Sequence, residues 1–134
     1  KYLELTPFLE KQQLLRKYGV DMVLVSAFDE AMMKMSGESF IRDIIMQELD
    51  LKHIVVGYDH RFGYKGEMGT VELKKLCDLL GIGLSVVEPV VVDGFAVSST
   101  EIKTQIIKGN ISLAERMLGR NLDFETIKRV KGLK

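Results

Sequence analysis

The chain reads as an α/β protein built on a parallel sheet, and three observations predict it. Apolar, strand-length runs at residues 20–27, 53–57 and 84–87 alternate with amphipathic helical stretches, the order that gives parallel strands joined by right-handed crossovers. The first run, centred on Val23-Leu24-Val25, is apolar throughout, as expected of strands covered on both faces. Two unusual words, Gly57-Tyr58-Asp59-His60-Arg61-Phe62-Gly63 and Ser98-Ser99-Thr100-Glu101-Ile102-Lys103, sit where a strand gives way to a loop or a helix. Open α/β sheets hold their ligands there.

Taken in order, Thr6-Pro7 is expected to open a helix as hydroxyl cap and first-turn proline, with Phe8, Leu15 and Tyr18 as its apolar stripe and Gly19 as its stop. Residues 20–27 form the first strand. Asp29 to Met35 is a short helix whose Met32, Met33 and Met35 read as irregular core filling. Ser36 and Ser39 cap a longer helix reaching about Leu49. His53 to Val56 is the second buried strand, with His53 a structural, buried histidine. Gly63 to Gly69 is a mobile glycine-rich loop, Thr70 to Leu80 a helix ended by Gly81, and Leu84 to Val87 the third strand. Asp93-Gly94 between two short valine- and phenylalanine-containing runs is a hairpin signal. The second word opens a helix closed by Gly109, and Ser112 caps a last helix through Leu118.

Composition narrows the function classes. The 134 residues predict one domain with a core that needs no staples. Nineteen Lys and Arg balance nineteen Asp and Glu, so no general field favours nucleic acid or an anionic membrane, and any phosphate attraction is local. A single cysteine, Cys77, excludes an internal disulfide and fits plain packing on a helix. The apolar runs are too short for a membrane helix, and the cytosol is the expected compartment. A start at Lys1 rather than Met reads as a trimmed or partial chain.

The second word combines a helix start, whose first N–H groups lack partners, with three hydroxyls and a cation one turn on. That is the chemistry of a phosphate site, and equally of a doubled N-cap. The first word offers Gly57 for close backbone approach, Asp59 as an acceptor, His60 and Arg61 for phosphate, and Phe62 for ring stacking. Its alternative is a strand-end turn, with Asp59 closing an Asx-type turn and Phe62 in the core.

In this order the words resemble the FAD synthetase module of bacterial bifunctional riboflavin kinase/FMN adenylyltransferases, which carries G-x-D/N-x-x-F-G after a strand and V-S-S-T-x-I-R about 35 residues later. Leu5-Thr6, Gly19-Val20-Asp21, Phe28-Asp29, Glu38-Ser39-Phe40 and Leu118-Gly119-Arg120 extend the similarity along the chain. The resemblance implies a Rossmann-like nucleotidylyltransferase of the HIGH superfamily, with residues 1–120 as the carboxyl-side part of the domain. Residues 121–134 would be a linker or the first strand of a riboflavin kinase module.

The implied reaction is FMN plus ATP giving FAD and pyrophosphate, with Mg2+. Ser98, Ser99, Thr100 and Lys103 would hold ATP phosphates. Gly57, Asp59, His60, Arg61, Phe62 and Gly63 would line the nucleotide and flavin pocket, the two words gripping one nucleotide across a shared cleft. Two features depart from the family. Lys103 stands where the family usually has arginine, so the planar fork is lost. The family's amino-terminal G-x-F-D-G-x-H-x-G-H segment and its first two strands are absent, which leaves two strands with open edges. The expectation is therefore a piece of a larger protein, or a sheet completed by another copy, with little catalysis of its own. A non-catalytic flavin- or nucleotide-binding module, or a transferase for another phosphorylated acceptor, remain the alternatives.

Overall fold

Parallel pairing is present, but on a small scale. In a computed structural model describing residues 3–133, β1 (His53–Gly57) runs parallel to β2 (Gly83–Val87), with His53 beside Gly83 and Gly57 beside Val87. The path between them passes through α5 (Thr70–Leu80). Leu73, Leu76 and Cys77 recur at helical spacing on α5 and are buried with Ile41, Met68 and Ile82. Burial holds the Cys77 thiol above its ordinary pKa. Only one face of β1 is covered: Ile54 and Val56 turn inward, while Val55 is 64% exposed.

His53 is exposed rather than buried. Its ring occupies the side-chain space of its strand partner, where a Cβ on Gly83 would fall 2.2 Å from Nδ1. Its Nε2 lies 2.7 Å from the Ser85 hydroxyl. The residue is structural, but as a cross-strand surface tie.

The chain falls into two units rather than one domain. Ser26–Pro89 form one, and residues up to Val25 together with those from Val90 onward form the other. In the first, α2 (Glu30–Lys34) is capped by Asp29, which accepts from the Met32 N–H at 2.8 Å. Ser36 caps a continuous helical rod made of α3 (Gly37–Ser39), a π-helical stretch (Phe40–Ile45) and α4 (Met46–Glu48). Met33 is exposed, not core filling, and Met32 and Met35 are half-buried.

The second unit has its own core of Leu5, Ile102, Ile106, Ala114, Met117 and Val130. It contains α1 (Phe8–Lys17), the hairpin β3 (Val91–Val92) with β4 (Phe95–Ala96), α6 (Ser99–Lys108), α7 (Ile111–Leu118) and α8 (Phe124–Lys131). Asp93 (φ 49°) and Gly94 (φ 82°) supply the two left-handed positions of a tight hairpin turn. Arg116 donates to the Asp93 carboxylate through both terminal nitrogens, one at 2.9 Å, bracing the turn against α7.

Five expectations need correction. Residues 20–27 form no strand. They pair with nothing among the described residues, and Leu24 (61%) and Val25 (68%) are exposed. A strand exists only as part of a ladder, and apolar β-branched composition cannot replace a partner. Thr6 does not cap α1; its hydroxyl accepts from Arg120 at 3.0 Å and Pro7 takes the cap position. Phe8 and Tyr18 of the expected stripe are exposed. The last helix before Gly119 starts after Asn110, so Ser112 lies inside it. The tail beyond Arg120 carries a helix in place of the expected linker or strand conformation: Asp123 accepts from the Thr126 N–H at 2.7 Å and starts α8, whose Val130 is buried in the core.

Candidate functional site

Past Gly57 the chain turns sharply, with the His60 N–H on the Gly57 carbonyl at 3.1 Å and the Tyr58 N–H on Val87 of β2 at 3.0 Å. Gly57 itself is open: a Cβ there would meet only Asp59 Oδ1, at 3.4 Å. The Asx-type turn does not form. Among the described residues the Asp59 carboxylate has no hydrogen-bond or ion-pair partner, and the residue is exposed. His60 is also exposed, and its ring lies 5.5 Å from that of Phe62. Phe62 is half-buried, edge-on to Phe40 at 6.1 Å.

The glycine-rich loop is knitted rather than loose. Phe62 and Met68 exchange both backbone hydrogen bonds at 3.0 Å. Arg61 Nε donates to the Gly66 carbonyl at 2.9 Å and so braces the loop. The Glu67 carboxylate accepts from the Gly37 N–H at 2.9 Å. Gly63, at φ 81°, packs so closely on the α3 start that a Cβ would lie 2.5 Å from Gly37 N. Glycine is required there both for its dihedral and for its neighbour.

Two hollows flank Phe62. One, of about 460 Å3, is lined by Phe40, Ile45, Ile54, Val56, His60 and Phe62, among others. The other, of about 190 Å3, is lined by Phe28, Met32, Met35, Phe40, Phe62 and Gly63. Sequence reasoning missed the part played by Phe28, Met32 and Met35. A methionine cluster at an adaptable binding surface was the available signal.

The second word forms the mouth of α6 in the other unit. The Ser98 hydroxyl accepts from the Glu101 N–H at 3.1 Å, so that side chain is a true N-cap. Among the described residues, the N–H groups of Ser98, Ser99 and Thr100 have no partner. Lys103, one turn along and half-buried, makes no ion pair among them either. Open donors, a helix N-terminus and a free ammonium in one turn can hold an anion. The structure thus gathers Gly57, Asp59, His60, Arg61, Phe62 and Gly63 at one corner, and Ser98, Ser99, Thr100 and Lys103 at one helix mouth.

Residues 1–101, which span the whole first word and the start of the second, match the family described as FAD synthetase. The chain belongs to the FAD synthetase family. A bifunctional riboflavin kinase/FMN adenylyltransferase of Buchnera aphidicola is 32% identical over 88% of this chain, which spans 38% of that protein. The Escherichia coli K12 protein of the same name is 32% identical over 86% of the chain, spanning 37% of it. A FAD synthetase of Listeria monocytogenes is 35% identical over 86% of the chain and is spanned to 46%. The chain therefore covers less than half the length of these relatives.

Among solved structures, one titled a macrolide-efflux protein from Streptococcus pneumoniae superposes with a TM-score of 0.77 at 25% identity, over 89% of this chain and 38% of that one. No helix among the described residues is long and apolar enough to cross a membrane.

Proposed function

We propose that this FAD synthetase-family chain supplies part of a site for adenylyl transfer from ATP to FMN. An FMN phosphate oxygen attacks the α-phosphorus of ATP, the bond from that phosphorus to the leaving pyrophosphate breaks, and FAD forms. No covalent bond to the protein is needed, so rate comes from alignment and from stabilising the charge that grows on pyrophosphate.

The observation that carries this reading is the mouth of α6, where the Ser98, Ser99 and Thr100 N–H groups and Lys103 have no partner among the described residues. These residues are assigned to ATP phosphates. At the other corner, Phe62 and Gly63 with Phe28, Met32 and Met35 make an aromatic and thioether slot suited to a flat ring. Asp59, exposed and without a partner among the described residues, is assigned to a polar edge of flavin or nucleotide, and His60 to the ring or phosphate beside Phe62. Arg61 supports the loop. The wider family framework, a HIGH-superfamily fold with two further strands and a kinase partner, belongs to this proposal, as does a cytosolic setting.

Among the described residues no cluster of three or more His, Cys, Asp or Glu side chains could hold a metal ion. No residue of this chain is therefore assigned to Mg2+, which is read as arriving on the ATP phosphates. Calorimetry tests the assignment. Lys103→Ala should weaken ATP binding by about tenfold, the worth of one charge-assisted contact, and leave FMN binding unchanged. Equal affinity for ATP in both proteins would refute it.

A further inference from the structure

Two helices that carry a glutamate at the third position, α5 and α6, use it in opposite ways. In α5 the Glu72 carboxylate turns back and accepts from the Gly69 N–H at 3.0 Å, the reciprocal bond of a capping box. Ser98-Ser99-Thr100-Glu101 at the start of α6 matches that motif better, with a hydroxyl cap and glutamate at N3. Only half of the box forms there. The Ser98 hydroxyl takes the Glu101 N–H at 3.1 Å, but the Glu101 carboxylate is drawn one turn along the helix and accepts from Gln105 Nε2 at 2.6 Å. The Ser98 N–H, which the box would have satisfied, has no partner among the described residues.

Gln105 is only 2% exposed, and its amide is held at both ends. While Nε2 holds Glu101, Oε1 accepts from Asn110 Nδ2 at 2.7 Å, just ahead of α7. A buried amide satisfied on both sides is costly to rotate or release. It is therefore a fixed anchor for a carboxylate that would otherwise close on the helix mouth.

We propose that Gln105 is a positioning residue that keeps Glu101 off the mouth of α6, leaving the Ser98 N–H open to a phosphate. This rests on the reading that the mouth takes ATP phosphates. A carboxylate closed on Ser98 would occupy a donor and place negative charge within the first turn, where helix-end electrostatics act. The sequence pattern for a capping box is thereby turned into an open anion seat by one residue a turn away.

The test uses Gln105→Met, which keeps the volume and removes the amide; Asn110, which is exposed, then bonds to water. In the 134-residue chain the Ser98 amide should exchange several-fold more slowly. The ATP dissociation constant should rise roughly two- to fivefold, the size of a helix-terminus charge effect. Adding Glu101→Ala to Gln105→Met should reverse both changes, which repacking alone would not do. Gln105→Leu repeats the measurement should methionine pack poorly.

Slower Ser98 exchange and weaker ATP binding, both rescued, support the proposal. Weaker binding without rescue overturns it, as does unchanged Ser98 exchange alongside a Lys103→Ala variant that still weakens ATP. Should Lys103→Ala also leave ATP binding untouched, the phosphate reading of the mouth fails with it.

Discussion

At the mouth of α6, Lys103 makes no ion pair among the described residues, and its ammonium offers a point charge rather than the planar fork of an arginine. Lys103→Arg should therefore keep or tighten ATP binding, in contrast to the loss expected for alanine. Gly63 makes the opposite kind of demand. Its φ of 81° and its contact with Gly37 leave no room for a side chain, so Gly63→Ala should destabilise the Ser26–Pro89 unit by at least about 1–3 kcal/mol from backbone strain alone. Chemical denaturation with a probe at Phe62 checks this.

That both words fall at element ends could be read from the sequence, because a glycine after a strand and a serine before a helix mark such ends. The roles of Arg61 and Glu67 could not. The bond from Arg61 Nε to the Gly66 carbonyl has no sequence pattern that signals it. Glu67 reaches Gly37, distant in sequence, and no local pattern announces that contact. The exposure of His53 is not legible either, because a strand of apolar neighbours says nothing about which face is covered.

Among the elements, three carboxylates tie ends together and are held below their ordinary pKa. Glu72 is lowered chiefly by backbone hydrogen bonds at the start of α5. Asp93 is lowered by the hydrogen bonds from Arg116, and Asp123 by the Thr126 N–H. Each binds protons less readily folded than unfolded, so its contribution is complete above the ordinary carboxylate range of about 4 and is lost as pH falls through the lowered folded values. Thermal melts should hold steady at neutral pH and drop below about pH 4. Asp93→Asn should flatten part of that drop. A melting temperature that rose on acidification would contradict the assignment.

Helix stops are readable at this scale, since Gly81, Gly109 and Gly119 all take left-handed caps. The stretch at residues 20–27 is not, because a strand depends on a partner that its own residues do not specify. The helix in the tail is hidden for a related reason: Val130 and Thr126 find burial by packing into the unit's core, which weak local alternation conceals.

Across the molecule, two separate cores replace the single one that length alone suggests. Leu73→Ala should cost about 2–5 kcal/mol and raise amide exchange within residues 26–89. Ile106→Ala should do the same in the unit containing α6, α7 and α8. The most direct test of the functional account is an amide-resolved titration of the chain, first with ATP and then with FMN. The account predicts that ATP perturbs Ser98, Ser99, Thr100 and Lys103, while FMN perturbs Tyr58 through Gly63. Shifts that bypass both stretches, or ligands that leave every amide unmoved at saturating concentration, would contradict it.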